Sequence, residues 1–331
     1  MSPRPGPRAA APGSAAAPVV VAAPFAPTAP TAPAAMDDTA PWPRITIDTP
    51  GAEFEPRPPG QFAYDFPDTE CDGWSTPDFT VRSASVRGAG HRFYRKPRQD
   101  SARVALHEAS GAIVFAVADG VSGATDSHLG AVEACRAAME RMLHLLSQGA
   151  PMEFDSVAHH AAERLRQLAA WRLGTGPQSS AVAASWYATT LVAGVVQPDA
   201  SGPRVELCRI GDSGAWLLDR ATGSYHALFG TKTGSDTDLV SNAVVPLPHV
   251  PESVEALVEH LTASEVLLVG TDGFGDPLGD GDGQVGALFA RHLAVAPTPL
   301  RLAHVLDFSR ETFDDDRTLV AVWPGSSAGA P

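Results

Sequence analysis

Three groups of aspartates adjoin apolar segments of strand length, and their carboxylates could bind divalent cations. The groups are Asp119 after residues 113–118, Asp272 after residues 266–269, and Asp315 with Asp316 before residues 319–323. A single Asp-Gly pair such as Asp119-Gly120 is more often a turn than a site. Carboxylates that converge, however, repel one another unless cations lie between them, and oxygen ligands suit Mg²⁺ or Mn²⁺. If the three segments share a sandwich, the acids predict a two-metal site that could generate hydroxide and bind a phosphoryl group.

The elements that would position these acids belong to a mixed α and β domain. The unbroken apolar segment 113–118 predicts a strand buried on both faces, and residues 104–106 are expected to pair with it across a short turn. Apolar residues spaced through 129–146 predict a helix after Asp119. The spacing of Val254, Leu257, Val258 and Leu261 predicts another helix, which would start at Pro251.

Composition divides the chain into four segments. Residues 1–40 are rich in proline and alanine and are predicted to be a disordered tail, because they offer little apolar area to bury. Residues 41–77 contain scattered aromatic residues without a period and are predicted to be an irregular linker. We expect the folded domain to span 78–324 and a second disordered tail to span 325–331.

The first forty residues also resemble a secretory signal, because Arg4 and Arg8 precede the apolar segment 18–25. Prolines recur through that segment, which favours a disordered tail over an exported leader. Met36 is a second candidate for the start of the native protein, which N-terminal sequencing would decide.

Net charge and cysteine content narrow the class of protein. The formal net charge of −14 argues against nucleic acid or an anionic membrane surface as the main partner. No apolar segment is long enough to span a bilayer. Cys71, Cys135 and Cys208 are widely spaced and form no CxxC pair, so neither a disulfide framework nor a zinc site is indicated. This pattern favours the reducing cytoplasm.

Six short motifs carry a resemblance to a known family. They are RQD (98–100), ADG (118–120), ATTL (188–191), GDSGA (211–215), TDGF (271–274) and DDRT (315–318). Each motif alone is weak, but in this order they resemble the metal-dependent type-2C serine/threonine protein phosphatases, of the bacterial type, over about residues 79–323. The resemblance implies an α+β fold, a four-layer α-β-β-α sandwich of two antiparallel sheets flanked by helices. It also implies hydrolysis of phosphoserine and phosphothreonine in proteins by a metal-activated water.

The resemblance assigns metal-binding roles to five residues. Asp119 would bridge two Mn²⁺ or Mg²⁺ ions, and the carbonyl of Gly120 would bind one of them. Asp272 and Asp315 would complete the coordination of the other ion, and Asp100 would hold a metal-bound water. Asp119, Asp272 and Asp100 are therefore the expected catalytic residues.

The remaining assignments concern phosphate and a supporting acid. Arg95, four residues before Gln99, matches the family's phosphate-binding arginine, and His91 on the same loop is a second candidate. Asp316 is assigned a supporting role. The expected partner is a phosphoprotein substrate, and the family suggests a serine/threonine kinase.

Four positions depart from the family pattern. Gln99 replaces a common Glu, Val121 replaces a histidine found in some members, Ser185 stands where an acid for a third metal is expected, and Gly214 replaces a common Arg. Gln99 and Ser185 keep an alternative open, a catalytically weak pseudophosphatase that binds a phosphoprotein or a kinase as a regulatory module. The presence of all three groups of acids favours the enzyme.

Overall fold

Two antiparallel sheets form the centre of the folded unit that begins at Arg44. The computed structural model describes residues 43–60, 63–176, 178–230 and 245–325. The six-stranded sheet has the order β1 (Thr69–Ser75), β2 (Phe79–Val86), β11 (Arg317–Pro324), β10 (Glu265–Gly270), β7 (Gly214–Asp219) and β8 (Tyr225–Ala227). The five-stranded sheet has the order β3 (Asp100–His107), β4 (Ala112–Asp119), β5 (Leu191–Gln197), β6 (Arg204–Ile210) and β9 (Glu255–His260).

Seven helices accompany the sheets in the described residues. They are α1 (Ala89–Tyr94), α2 (Ser127–Ser147), α3 (Phe154–Leu173), α4 (Ser180–Tyr187), α5 (Asp272–Leu278), α6 (Gln284–Leu293) and α7 (Pro299–Leu306). Helices α2, α3 and α4 cover the five-stranded sheet, and α5, α6 and α7 cover the six-stranded sheet. The predicted four-layer α-β-β-α sandwich is therefore confirmed.

Strand β4 shows why the two sheets stack. Because successive side chains of a strand point to opposite faces, its residues alternate between two apolar cores. Ile113, Phe115 and Val117 lie in the core between the sheets, and Val114, Ala116 and Ala118 lie in the core beneath α2 and α3. All six are fully buried. Each large apolar side chain buried in this way contributes about 1.5–3 kcal/mol, so the end of β4 is a rigid support for Asp119.

A row of aromatic rings fixes α5 on the other side of the sandwich. The rings of Trp216, Phe274, Phe289 and Phe308 meet edge to face, with successive centroid distances of 5.4, 5.0 and 6.1 Å. Such pairs add about 0.5–1.5 kcal/mol each beyond the burial of their area. Phe274 belongs to α5, so this row also holds Asp272, the first residue of the helix.

The prediction of an irregular linker at 41–77 is wrong in part. Residues 69–75 form β1, which pairs with β2 over its whole length. Residues 44 onward belong to the same folded unit as the rest of the domain, and Thr46 forms a parallel bridge with Ser309. Strand β1 is an edge strand held by backbone hydrogen bonds, so its sequence shows no apolar alternation that would reveal it.

The predicted helix at 251–261 is also wrong. Residues 255–260 form β9, the edge strand that pairs with β6. Val258 is 50% exposed, so the apolar spacing that suggested a helix does not mark a buried face. Pairing with β6, rather than the local apolar spacing, determines that this segment is a strand.

Two short helices lie outside the segments in which apolar spacing predicted a helix. Helix α1 lies between β2 and β3, and α4 precedes β5. The predicted tails, 1–40 and 325–331, lie outside the described residues apart from Gly325, as does most of the polar segment 230–248. No described helix is long and apolar enough to cross a membrane.

Candidate metal centre

Five aspartates from both sheets converge at one end of the sandwich. Asp100 and Asp119 lie opposite each other at the ends of β3 and β4. Asp272 begins α5, with only Thr271 between it and β10, and Asp315 and Asp316 directly precede β11. The charges of the four other carboxylates all raise the pKa of Asp119, after the larger effect of its burial. The charges of the other four acids thus all act on Asp119.

The backbone of Asp119 is held by two neighbouring threonines. Its N–H donates to Thr190 Oγ1 at 2.9 Å, and its carbonyl accepts from Thr190 N and Thr189 Oγ1, each at 2.8 Å. The hydroxyl of Thr190 also contacts Ser213 Oγ at 2.8 Å. Two of the six motifs, ATTL and GDSGA, therefore supply the hydroxyls that fix the end of β4.

Asp100 is tied to the opposite sheet through a chain of hydroxyls. Thr271 Oγ1 donates to Asp100 Oδ2 at 2.8 Å and accepts from Thr318 N at 3.1 Å. The hydroxyls of Thr318 and Ser85 meet at 2.6 Å. Asp100 is 2% exposed, so these contacts are made in a water-poor interior, where they are strong. They fix the distance between the acids of the two sheets.

Asp316 is engaged by the backbone rather than open to a ligand. Its Oδ1 accepts from Gly88 N at 2.7 Å and its Oδ2 accepts from Gln99 N at 2.5 Å. The residue is 2% exposed, whereas the side chain of Asp315 beside it is 55% exposed. The carboxylate of Asp315 is therefore accessible to a ligand, whereas both oxygens of Asp316 accept hydrogen bonds from the backbone. This difference agrees with a supporting role for Asp316.

Burial and mutual repulsion dominate the electrostatics of the centre. Burial, and then neighbouring carboxylates, raise the pKa values of Asp100 and Asp119 well above the usual range. The same causes raise the pKa of Asp272 to about 6 and raise that of Asp315. Carboxylates that disfavour each other's charge fit a cluster built around divalent cations, which would stabilise the ionised forms. The all-oxygen donor set suits Mg²⁺ or Mn²⁺.

The glycines after the acids allow close approach of the backbone. A Cβ on Gly120 would lie 2.7 Å from the carbonyl oxygen of Ser127. A Cβ on Gly273 would lie 1.8 Å from the carbonyl oxygen of Asp316, which is inside any permissible contact. Only glycine at 273 therefore lets the first turn of α5 meet the segment that carries Asp315 and Asp316.

The two candidate phosphate ligands are placed differently. His91 is buried and contacts the acids, with Nδ1 2.9 Å from Asp316 Oδ2. Arg95 is exposed at the end of α1, and its Nε donates to the Pro58 carbonyl at 3.4 Å. Within the described ranges, Arg95 forms no ion pair with an acid of the centre, so its role as a phosphate ligand stays a prediction.

Two acids beside the centre were not among the predicted site residues. The charges of Asp212 and Asp276 both raise the pKa of Asp272. They line, with Asp272, a cavity of about 340 Å³ that also includes Arg209 and Trp216. Asp212 follows the buried strand β6 after one glycine, Gly211, much as Asp119 ends β4. Applying the same strand-end argument to the GDSGA motif would have found it.

Comparisons with known proteins agree with this arrangement. A model of the protein phosphatase 2C family matches residues 87–307. None of the curated proteins compared with the chain matches it significantly. The crystal structure of a bacterial serine phosphatase is similar with a TM-score of 0.51 and 13% identity, covering 74% of this chain and 97% of that chain. This similarity shows a shared fold.

A second solved structure is the catalytic domain of the serine/threonine phosphatase PstP in complex with two manganese ions. It has a TM-score of 0.49 and 18% identity, and covers 75% of this chain and 98% of that chain. The family match spans well over half of the chain. The chain therefore belongs to the protein phosphatase 2C family, and it is a metal-dependent serine/threonine protein phosphatase that uses Mn²⁺ or Mg²⁺.

Proposed function

We propose that the five-aspartate centre is the site at which this phosphatase hydrolyses phosphoserine and phosphothreonine in proteins. The observation that carries the proposal is the convergence of Asp100, Asp119, Asp272 and Asp315 with raised pKa values. Two ions bound there would supply an activated water and would offset the charge of the phosphoryl group. The protein's own residues have to hold those ions and orient the phosphate.

Each residue of the centre has a distinct proposed task. Asp119 would hold both ions, and the carbonyl of Gly120 would help to hold one of them. Asp272 and Asp315, from the opposite sheet, would hold the other ion. Asp100 orients a water molecule, and the hydroxyl of Thr271 holds its carboxylate in place.

Phosphate binding is proposed for the end of α1. Arg95 is exposed, and its hydrogen bond to Pro58 is long at 3.4 Å, so an incoming phosphate could replace that carbonyl as the partner of its guanidinium. An arginine can bind two phosphate oxygens at once. The same helix places His91 beside Asp315. The proposed substrate face therefore lies where α1 meets the acids.

The direct test is hydrolysis of p-nitrophenyl phosphate in the presence of Mn²⁺. We expect Asp119→Asn and Asp272→Asn to lower turnover by roughly 100-fold or more, since even residues that only support a metal ligand are worth about 10- to 100-fold. Asp282→Asn removes an exposed carboxylate and serves as the control with unchanged turnover. Full activity in both centre variants would overturn the assignment.

The same material tests the pseudophosphatase alternative. If the wild-type protein binds a phosphopeptide in calorimetry but hydrolyses neither the peptide nor p-nitrophenyl phosphate, then a binding role replaces the enzymatic one.

The three cysteines, Cys71, Cys135 and Cys208, are free thiols, which supports a cytoplasmic location. Among phosphoprotein substrates, a serine/threonine kinase is the partner that the family suggests.

A further inference from the structure

His91, Asp315 and Asp316 form a cluster whose geometry suits more than an ion pair. One nitrogen or oxygen from each residue lies within 4.8 Å of the others. His91 Nδ1 is 2.9 Å from Asp316 Oδ2, and His91 Nε2 is 3.9 Å from Asp315 Oδ1. The two ring nitrogens thus face two different carboxylates.

The longer of these two distances is informative. A separation of 3.9 Å exceeds the length of a hydrogen bond. Bonds of about 2.0–2.2 Å from an ion to nitrogen and oxygen place neighbouring ligand atoms about 3–3.6 Å apart. His91 Nε2 and Asp315 Oδ1 therefore need to approach by only a few tenths of an ångström to bind a common ion.

The shorter distance places Asp316 where an orienting group is needed. A histidine that binds a metal through one nitrogen usually donates its other ring N–H to a carboxylate, which fixes the tautomer and the ring. Asp316 is itself fixed, because Gly88 N and Gln99 N donate to its two oxygens. Nδ1 is close to Oδ2 but not aligned for a hydrogen bond, and a small rotation of the ring would align it.

The position of His91 is set by contacts outside the cluster. Its carbonyl accepts from Arg87 Nη2 at 2.8 Å and from Lys96 N at 3.0 Å. The next residue, Arg92, forms ion pairs with Asp68 at 2.6 Å and with Asp307 at 2.9 Å. His91 is 9% exposed. The imidazole is therefore held against the acids by a rigid backbone, as a metal ligand needs to be.

We propose that His91 is a nitrogen ligand of the ion held by Asp315, with Asp316 as the carboxylate that orients the ring. The inference rests on the proposed function, because it concerns one of the ions of that centre. Imidazole nitrogen suits Mn²⁺ better than Mg²⁺, which prefers an all-oxygen shell. His91 thus biases this site toward Mn²⁺, a selectivity that the aspartates alone would not give.

The test is electron spin echo envelope modulation of the Mn²⁺-loaded protein, a spectroscopic measurement that detects nitrogen bound to manganese. We expect the wild-type protein to show ¹⁴N coupling and His91→Gln to lose it. The control is His260→Gln, since His260 is exposed and pairs with Arg204, at the opposite end of β6 from Asp212, and this variant should retain the signal. By calorimetry, His91→Gln should bind Mn²⁺ roughly 10-fold more weakly or worse, with a smaller change for Mg²⁺.

Each other outcome is decisive. If the wild-type protein binds Mn²⁺ without ¹⁴N coupling, or if the coupling persists in His91→Gln, the ligand assignment is wrong, although the phosphatase centre stands as long as Asp119→Asn abolishes turnover. If the wild-type protein binds no Mn²⁺, both proposals fail. If His91→Gln keeps its Mn²⁺ affinity but loses inhibition by inorganic phosphate, His91 is a phosphate contact instead. A wild-type spectrum without ¹⁴N coupling overturns the assignment even if a variant does not fold.

Discussion

Asp100 and Asp119 occupy one cross-strand pair of the ladder between β3 and β4, so two carboxylates lie directly opposite each other. Like charges in such a pair destabilise a sheet. Both residues also lie in water-poor surroundings, where burial and then the neighbouring carboxylates raise their pKa values. The pair is therefore unfavourable without a cation and favourable with one, which couples the stability of this end of the sandwich to metal binding.

The first prediction concerns Asp100→Asn. Removing one charge from the pair should stabilise the metal-free protein by about 0.2–1 kcal/mol, the range for cross-strand charge effects. The same substitution should reduce the increase in Tm that Mn²⁺ produces, because binding to the folded state alone stabilises it in proportion to affinity. Thermal unfolding with EDTA and with excess Mn²⁺ measures both. Asp282→Asn is the control, and a lower metal-free Tm for Asp100→Asn would contradict the argument.

The second prediction concerns pH. Asp272, whose pKa is raised to about 6 in the folded protein, binds its proton more tightly there than in the unfolded chain. Its contribution to stability is therefore fully present below about pH 4 and is lost as pH rises through 6. The metal-free protein should lose stability over that window, more so because Asp100 and Asp119 shift the same way.

Metal should reverse this trend, because binding requires deprotonated carboxylates and so strengthens as pH rises. Denaturant unfolding from pH 4 to 7, with EDTA and with Mn²⁺, should give curves that diverge toward neutral pH. Parallel curves would show that these acids do not bind the ion. Asp272→Asn should flatten the metal-free curve between pH 4 and 6.

The third prediction concerns Thr190→Val. The hydroxyl of Thr190 accepts from Asp119 N and contacts Ser213, so its loss leaves buried polar groups unpaired. We expect a loss of about 1–3 kcal/mol in the free energy of unfolding, together with weaker Mn²⁺ binding because the end of β4 is loosened. Thr80→Val, which removes an exposed hydroxyl contact to Ser75 on another strand, is the matched control. Equal effects in the two variants would mean that Thr190 does not support the site.

The fourth prediction concerns Gly273→Ala. Its Cβ would meet the carbonyl oxygen of Asp316 at 1.8 Å, and a backbone atom cannot move aside. The first turn of α5 should therefore shift away from β11, separating Asp272 from Asp315. We expect loss of Mn²⁺-dependent turnover and a Tm lowered by several degrees, as for a change of about 1–3 kcal/mol caused by overpacking. Gly123→Ala, with open space around its Cβ, should behave like the wild-type protein.

The sequence alone predicted the strands that carry the acids. The apolar segments before Asp119 and Asp272 are buried on both faces, so their composition and length identify them without any tertiary information. The acids then mark strand ends, where a polar group directly follows a run of buried side chains. The order of the six motifs then indicated which fold brings those strand ends together. The apolar periodicity alone indicated only a mixture of α-helices and β-strands.

The sequence did not predict β1 and β9, which form one edge of each sheet. Strands β1 and β9 have exposed faces, and Val258 of β9 is half exposed, so no alternation reveals them. Their pairing depends on backbone N–H and C=O groups, which every residue carries and which no sequence pattern distinguishes.

Amino-acid types and order determined which carboxylates are present and which buried strands and helix starts carry them. Only the tertiary structure decided that Asp316 turns to the backbone while Asp315 stays open, and that His91 lies between them. These relations depend on where α1 packs against the segment before β11. That packing is set by contacts between residues more than 200 positions apart, such as Gly88 with Asp316 and Arg92 with Asp307, and distances of this kind follow from the fold rather than from any local pattern.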